Sequence, residues 1–255
     1  MKLHHLVVVA VALVACIGVP AKAASAIPAY ITRAVADPAR PPDDKAQDAN
    51  RKPAEVLAFA GIKPGDKVVD LMPGSGYYTR IFSKIVGPTG VVYALQPTEM
   101  DKVAPKRLQS LKSFAGTPAY SNVVILVQPI AAIAIPERVD MVWTSQNYHD
   151  LHDPFMGSPD MAHVNKSIFD ALKPGGTFLV LDHAATAGSG VSDTNTLHRI
   201  DPAAAKTEVT AAGFEFVGDS DILRNPDDNH SLPIFDKSIK GKTDKFIDKF
   251  RKPSP

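Results

Sequence analysis

The chain has 255 residues, of which 45% are hydrophobic, and this composition predicts one sizeable α/β domain with a real core. The 28 basic residues nearly balance the 27 acidic residues, so the net charge is +1. This balance excludes recruitment of nucleic acid or anionic lipid by a global positive field, and we expect no nucleic-acid partner.

The N-terminus has the pattern of a targeting segment. Lys2 and two histidines precede a ten-residue apolar run, Leu6–Ala15, which is too short for a stable membrane span but typical of a secretory signal. Small-residue cleavage sites follow at Ala21–Ala23 and Ala24–Ala26. We therefore predict a signal peptide over residues 1–26 and a periplasmic or secreted protein.

The single cysteine leaves an alternative open for this segment. Leu13–Cys16 has the form of a bacterial lipobox, so the signal would end before Cys16 and the chain would carry a lipid anchor. More apolar sequence follows Cys16, which favours ordinary cleavage. No twin arginine precedes the apolar run, so we predict Sec-type export of an unfolded chain, which carries no cofactor with it.

The segment after the predicted signal is rich in proline, alanine and aspartate. Ile27–Asn50 is predicted to be an extended arm that turns into a short helix, and Arg51–Ala60 a clearer helix that stops at Gly61. We divide the mature chain into an N-terminal arm and helix, residues 27–62, and an α/β domain, residues 63–255.

A strand, a glycine loop and a helix follow in that order. The apolar run Val68–Leu71 is typical of a buried parallel strand, and Tyr78–Val86 has helical periodicity. Between them lies the Pro-Gly-Ser-Gly sequence Pro73–Gly76. Glycines let the backbone approach a ligand, and a helix N-terminus offers free N–H groups to an anion, so we predict a binding crevice here.

The remaining predicted elements include further helices and strands in alternation. Helices are predicted at Met100–Phe114, Met161–Leu172 and Pro202–Ala212, and strands at Val91–Leu95, Val123–Val127, Asp140–Thr144, Thr177–Asp182, Phe214–Ile222 and Lys245–Phe250. This alternation predicts a mostly parallel central sheet with helices on both faces. No helix separates the last two strands, so we expect an antiparallel hairpin at one edge, with Lys245–Phe250 as an edge or final strand.

Two common nucleotide motifs do not fit the glycine loop. A dinucleotide fingerprint needs a third glycine three residues after Gly76, where Thr79 stands. A P-loop needs a Gly-Lys-Ser/Thr sequence, which is missing as well. The segment is therefore described only as a two-glycine loop that follows the acidic strand residue Asp70.

With these motifs the chain resembles the class I S-adenosylmethionine-dependent methyltransferases. The matching segments run in the family's order: Lys63–Asp66, Val69–Leu71, Gly74–Gly76, Leu172–Gly176 and Ala211–Phe214. More narrowly it is similar to exported, predicted methyltransferases, at Asn147–Leu151, Leu197–Asp201, Ser220–Pro226 and the Lys-Phe-Arg-Lys-Pro ending at Pro253. The resemblance implies a Rossmann-like methyltransferase fold, S-adenosyl-L-methionine as cofactor and methyl transfer to an acceptor.

The resemblance also implies a set of cofactor-binding residues. In the family the methionine end of the cofactor lies over the glycine loop, and a carboxylate after the second strand holds the ribose. Carried onto this chain, the set is Asp70, Met72, Pro73, Gly74, Gly76, Tyr77 and Gln96. Met72 replaces the family's first loop glycine, and Gln96 replaces the ribose carboxylate without its charge.

The candidate catalytic residues follow the fourth strand. This loop would lie at the carboxyl end of the sheet, beside the cofactor, where a methyltransferase positions its acceptor and removes a proton. Tyr148 is the candidate for positioning the acceptor, His149 for the general base and Asp150 for orienting the imidazole. The alternative is that each of them only packs or caps the loop.

A metal-assisted hydrolase is a third hypothesis for the same loop. His149, Asp150, His152 and Asp153 include a His-x-x-His pair, which would need His183 as a further ligand. No helix with zinc-binding spacing supports this, so we predict no metal site.

Two more polar segments are predicted outside this loop. His198-Arg199 is expected to form an ion pair with Asp201, with contact to an acidic substrate group as the alternative. Asp227–His230 is expected to form a solvated loop, with a lid over the site as its functional alternative. The function predicted is methyl transfer to an unknown small acceptor, and the alternative is a non-catalytic ligand-binding protein on the same fold. The oligomeric state cannot be read from the sequence.

Overall fold

A computed structural model describes residues 26–254, and seven strands form one sheet in it. The predicted signal peptide and Cys16 lie outside the described residues, so export and lipid anchoring stay predictions. The strands are β1 (Lys67–Leu71), β2 (Val91–Pro97), β3 (Val123–Gln128), β4 (Val139–Ser145), β5 (Leu172–His183), β6 (Glu215–Asp219) and β7 (Lys245–Arg251).

The strand order is β3-β2-β1-β4-β5-β7-β6, and all strands but β7 run in the same direction. The predicted Rossmann-like α/β fold with an antiparallel hairpin is therefore confirmed. Leu71, the last residue of β1, pairs with Leu95 and Thr144 on its two neighbours. The chain order reverses between β1 and β4, and the loops after these strands open a crevice at their carboxyl ends.

β7 is the final strand, as predicted, but it does not lie at the edge of the sheet. It inserts between β5 and β6 and pairs antiparallel with both, which leaves β6 at the edge. Phe246 to Asp248 are buried because this strand is covered on both faces. Residues on both of its faces are therefore largely buried, and this explains its weak alternation.

Helices cover both faces of the sheet. They are α1 (Ala29–Val35), α2 (Pro42–Lys45), α3 (Asp48–Arg51), α4 (Pro53–Ala60), α5 (Tyr77–Val86), α6 (Met100–Val103), α7 (Pro105–Phe114), α8 (Met161–Ala171), α9 (Thr194–Leu197) and α10 (Pro202–Ala211). One hydrophobic cluster lies between the sheet and α1, α4, α5 and α7, and a second between the sheet and α8 and α10. None of the described helices has the length and apolar character needed to cross a bilayer.

The extended part of the predicted arm is wrong, because α1 and α2 form there and pack on the domain, whereas the short helix predicted at its end is present as α3. Pro28 and Pro41 are the N-cap residues of α1 and α2, and Pro42 lies in the first turn of α2, so these prolines stand at helix starts, where a missing N–H costs nothing. The buried guanidinium of Arg40 donates to both oxygens of Asp48, at 2.7 and 2.9 Å. Asp48 also accepts from the Tyr77 hydroxyl at 2.6 Å, so this segment is joined directly to α5.

Candidate functional site

A cavity of about 530 Å³ lies at the carboxyl ends of β1, β4 and β5. The structure brings most of the predicted site residues to its wall: Asp70, Met72, Pro73, Gly74, Tyr77, His149 and Asp150. Gly76, Gln96 and Tyr148 do not line it. Residues of the N-terminal helices and of the loop before β7 complete the wall, including Asp44, Arg51 and Phe235.

The glycine loop begins with a strained residue. Met72 has a φ of 58°, in the left-handed region that favours glycine, and its side chain is buried. Its backbone is held on both sides: its N–H donates to the Leu95 carbonyl at 2.9 Å, and its carbonyl accepts from the Asn147 amide at 2.6 Å. The loop therefore keeps the backbone geometry of a glycine at Met72.

The two loop glycines have different surroundings. Gly74 has a φ of 59°, and a Cβ placed there would meet no atom within 4 Å. Gly76 has a φ of 89°, and its Cβ would lie 2.6 Å from the Phe114 ring. Gly74 thus keeps open space beside the cavity, which fits a ligand that lies against the backbone, whereas Gly76 allows α7 to pack closely.

Asp70 is a buried carboxylate at the base of the glycine loop. Its Oδ2 accepts a 2.6 Å hydrogen bond from the hydroxyl of Thr79, the residue that stands where a dinucleotide motif has its third glycine. Burial raises the pKa of Asp70 to about 7 even though Thr79 stabilises the charged form. A cationic ligand in the cavity would favour ionised Asp70.

Gln96 is at the end of β2, where the resemblance placed the ribose-binding residue. It is buried, and its Nε2 has no hydrogen-bond partner among the described residues. An unpaired buried donor costs free energy. This donor suits a ligand hydroxyl, although Gln96 does not reach the wall of the cavity described above.

His149 is held between two carboxylates. Its Nδ1 lies 2.9 Å from Asp182 Oδ1, and its Nε2 lies 3.2 Å from Asp150 Oδ1. Burial lowers the pKa of His149, but the two carboxylates outweigh this effect and raise it to about 10. A ring that is protonated at neutral pH donates protons, so the structure does not fit the predicted role of His149 as a general base.

Asp150 and Tyr148 differ in where they point. Burial opposes ionisation of Asp150, but the imidazoles of His149 and His198, at 3.2 and 3.8 Å from its Oδ1, hold its pKa at about 2. Asp150 therefore contacts the imidazole, as predicted. Tyr148 is fully buried on the other side of the loop, where its hydroxyl donates to Glu208 at 3.0 Å and accepts from Asn165 at 2.9 Å. It cannot contact an acceptor in the cavity, contrary to its predicted role.

Sequence reasoning missed two partners of His149. Asp182 ends β5 and His198 follows α9, and both are far from residue 149 in the chain, so no local spacing connects them. The predicted ion pair between His198 and Asp201 is not formed. Instead the Nδ1 of His198 lies 3.8 Å from Asp150 Oδ1, while Asp201 caps α10.

The neighbouring Arg199 was also assigned the wrong partner. It is fully buried and binds both oxygens of Asp228, at 2.9 and 3.1 Å. Asp228 accepts the backbone N–H of Asp244 as well, at 2.7 Å. The segment predicted to be a solvated loop is thereby fixed to the domain through a buried ion pair.

A second cavity of about 350 Å³ adjoins the first and shares Arg51, Gln146 and His183 with it. Lys240 and the buried Lys245 add two more cationic groups, and no carboxylate belongs to its described lining. Burial and the neighbouring Arg51 lower the pKa of Lys245 to about 8. This cavity has the electrostatic character of a site for an anion.

Comparison with known families finds a match over part of the chain. Residues 44–127, which include the glycine loop, match the family model of protein-L-isoaspartate (D-aspartate) O-methyltransferase. The ubiquinone/menaquinone biosynthesis C-methyltransferase UbiE of Ectopseudomonas mendocina is 33% identical over 131 residues, which are 50% of this chain and 45% of that protein. The chain thus matches somewhat less than half the length of this relative.

Solved structures agree with the fold. A S-adenosylmethionine-dependent methyltransferase from Aquifex aeolicus superposes with a TM-score of 0.55 at 20% identity, over 83% of this chain and 93% of that one. Aeropyrum pernix fibrillarin, solved with natively bound S-adenosyl-L-methionine, gives a TM-score of 0.50 at 17% identity, over 80% and 76% of the two chains. At these identities the likeness is one of fold.

Proposed function

We propose that this chain, which belongs to the class I S-adenosylmethionine-dependent methyltransferases, binds S-adenosyl-L-methionine in the larger cavity and methylates a small acceptor. The observation that carries the proposal is the glycine loop. It lies at the switch point of the sheet, it has open space at Gly74, and the buried carboxylate of Asp70 stands at its base. When bound, the cofactor supplies an electrophilic methyl group on a sulfonium.

In this proposal the side chains and backbone around the cavity orient the cofactor and the acceptor. Backbone around Met72 and Gly74 holds the methionine end, while Tyr77 closes one side of the cavity with its hydroxyl fixed on Asp48. Methyl transfer needs the acceptor atom in line with the sulfonium methyl group, and a rigid wall provides such alignment. The loop after β4 carries Asn147 and His149 into the same wall.

Calorimetric titration of the purified protein with S-adenosylmethionine and S-adenosylhomocysteine tests the cofactor site. We expect one site per chain with micromolar affinity, weakened about tenfold or more in Asp70→Ala because the cationic ligand loses its carboxylate. Circular dichroism of the variant provides the control for folding. Binding of neither compound to the folded wild type would contradict the proposal.

The adjoining cavity supports an anionic acceptor. Arg51, Lys240 and Lys245 face it without a carboxylate in its described lining, and a buried cation without a paired acid favours a ligand that carries negative charge. His183 lines both cavities, so an acceptor bound in the smaller one would lie next to the cavity proposed for the cofactor.

The acceptor class is tested with matched pairs of compounds. Transfer of a labelled methyl group is measured for small carboxylic acids and for their neutral amides. We expect product from acids, a preference of at least tenfold over the amides, and a higher KM for acids in Lys245→Met. Equal transfer to the amides would contradict the anionic acceptor while leaving methyl transfer itself established.

A ligand-binding protein without methyl transfer is the second candidate. The observation that favours it is the pair of departures in the loop: Met72 occupies a backbone conformation suited to glycine, and Gln96 is buried away from the cavity wall. The Met72→Gly and Gln96→Asp double variant distinguishes the two. Tighter S-adenosylmethionine binding in this variant, with no methyl transfer by the wild type, would favour the binding protein.

A further inference from the structure

Three side chains from two separate loops meet at one edge of the larger cavity. His149 Nε2, Asp150 Oδ1 and His198 Nδ1 all lie within 4.8 Å of one another. The carboxylate oxygen is 3.2 Å from the first nitrogen and 3.8 Å from the second. We propose that these three residues, called the His-Asp-His cluster below, bind a divalent transition-metal ion such as zinc or ferrous iron.

The donor set has the chemistry that such ions select. Two imidazole nitrogens and one carboxylate oxygen suit zinc and ferrous iron, whereas magnesium and calcium take oxygen ligands. Ligand bonds of about 2.0–2.2 Å place neighbouring ligand atoms roughly 3–3.5 Å apart. The two separations from the carboxylate oxygen are close to this spacing, and the two histidine nitrogens, which lie within 4.8 Å of each other, would move towards the ion to complete the site.

His149 is already oriented as a metal ligand. Asp182, which is fully buried, accepts from the backbone N–H of His149 at 2.7 Å and contacts the ring Nδ1 at 2.9 Å. This carboxylate fixes the ring so that Nε2 faces Asp150, and a bound ion would displace to solvent the proton that the two carboxylates otherwise hold on Nε2. A carboxylate behind a histidine is the usual support of a metal-ligating imidazole, and it increases the basicity of the ligand.

Asp153 is a second, independent observation that points to a cation. It is fully buried, and neither of its carboxylate oxygens has a hydrogen-bond partner among the described residues. Its Oδ2 lies 4.0 Å from His198 Nδ1. A buried carboxylate without hydrogen bonds is costly, and a divalent ion in the adjacent cluster would offset its charge.

The backbone of His198 is strained in a way that brings its ring to the cluster. Its φ is 55°, in the left-handed region that favours glycine. In this conformation the imidazole faces Asp150 and lies 5.5 Å, centroid to centroid, from the His149 ring. Backbone strain of this kind clusters at functional sites, where the surrounding structure maintains it.

The cluster leaves open positions for a further ligand. All three residues line the larger cavity, and His183 lies beyond them with its ring 6.0 Å from that of His149. A metal ion with three protein ligands keeps such positions for water or substrate. The ion would therefore hold an oxygen, nitrogen or sulfur atom of an acceptor, a role that rests on the proposed function.

Metal content of the purified full-length chain tests the site without any cofactor or acceptor. The protein is stripped with a chelator, loaded with zinc, desalted and measured by elemental analysis, and cobalt titration followed by visible absorption gives the affinity. We expect one ion per chain in the wild type. His198→Ala is expected to weaken binding at least 100-fold, because it removes one of three ligands.

His152→Ala is the matched control, since His152 is in the same loop but its Nε2 contacts Glu208 at 3.2 Å, outside the cluster. This variant should bind one ion with unchanged affinity. The melting temperature of each metal-free variant shows whether it folds. A wild type that retains no stoichiometric ion, or a folded His198→Ala that binds as the wild type does, would overturn the site. Neither result depends on methyl transfer.

Discussion

Replacing Gly76 by alanine is expected to destabilise the protein by about 2–5 kcal/mol. The residue has a φ of 89°, where a Cβ costs roughly 1–2 kcal/mol. The added methyl group would also lie 2.6 Å from the Phe114 ring and 3.2 Å from Leu111, and overpacking typically costs about 1–3 kcal/mol. Phe114 cannot easily move, because Arg80 and Tyr120 pack against its ring.

Gly74→Ala is the control, with the same chemical change two residues earlier. It has a similar backbone conformation, φ of 59°, but its Cβ would meet no atom within 4 Å. We expect a loss of about 1–2 kcal/mol in stability, and at least a tenfold loss of S-adenosylmethionine affinity as the methyl group takes space beside the cavity.

Thermal unfolding separates the two glycine variants from each other. A change of 1 kcal/mol shifts the melting temperature by roughly 2–4 °C in a domain of this size. The melting temperature should therefore be about 10 °C lower in Gly76→Ala, and about 4 °C lower in Gly74→Ala, than in the wild type. Equal losses of stability would contradict the role of close packing at Gly76. Unchanged ligand affinity in Gly74→Ala would contradict the placement of the ligand over the loop.

The parts of the fold that could be predicted from sequence are those specified locally. The strand, glycine loop and helix from Lys67 to Val86 are contiguous, so periodicity and turn chemistry were enough to predict them. The position of β7 depends on pairing with β5 and β6, which lie far away in the chain, and no local pattern determines it. The first two helices, α1 and α2, were not predicted because the prolines at their starts were interpreted as helix breakers, whereas the helix over Arg51–Ala60 was predicted and is α4.

The candidate site also has one part that local sequence specifies and another that depends on contacts between distant segments. Asp70 and Gly74 reach the cavity because the strand and loop that carry them are set by local sequence. His149 reaches the cavity too, but its protonation depends on Asp182, and the cluster depends on His198. Those contacts follow from tertiary structure. A buried side chain's charge state is therefore the property that sequence alone predicts least well.

Asp70→Asn is expected to change how stability depends on pH. Because burial raises the pKa of Asp70 from 3.8 to about 7, the folded state binds its proton more tightly than the unfolded state does. The stability that this provides is complete below pH 4 and is lost as pH rises through about 7. At about 1.4 kcal/mol per pKa unit, the loss approaches roughly 4 kcal/mol by pH 9.

Asp70→Asn has no carboxyl group to titrate, but its amide oxygen can still accept a hydrogen bond from the Thr79 hydroxyl. Denaturant unfolding from pH 5 to pH 9 should therefore show that Asp70→Asn gains stability relative to the wild type as pH rises. The neighbouring polar groups, Thr79 and Tyr78, stay neutral in this range, since burial raises the pKa of Tyr78 to about 12. Parallel stability curves for the two proteins would contradict the raised pKa of Asp70.

Ligand binding should show the opposite dependence on pH. A cationic cofactor favours ionised Asp70, so affinity for S-adenosylmethionine should rise by up to tenfold per pH unit below about pH 7 and level off above it. Asp70→Asn should bind weakly with no such rise. S-adenosylhomocysteine keeps the ammonium group but lacks the sulfonium. An equal pH dependence for the two compounds would therefore assign the contact of Asp70 to the ammonium, and a dependence confined to S-adenosylmethionine would assign it to the sulfonium.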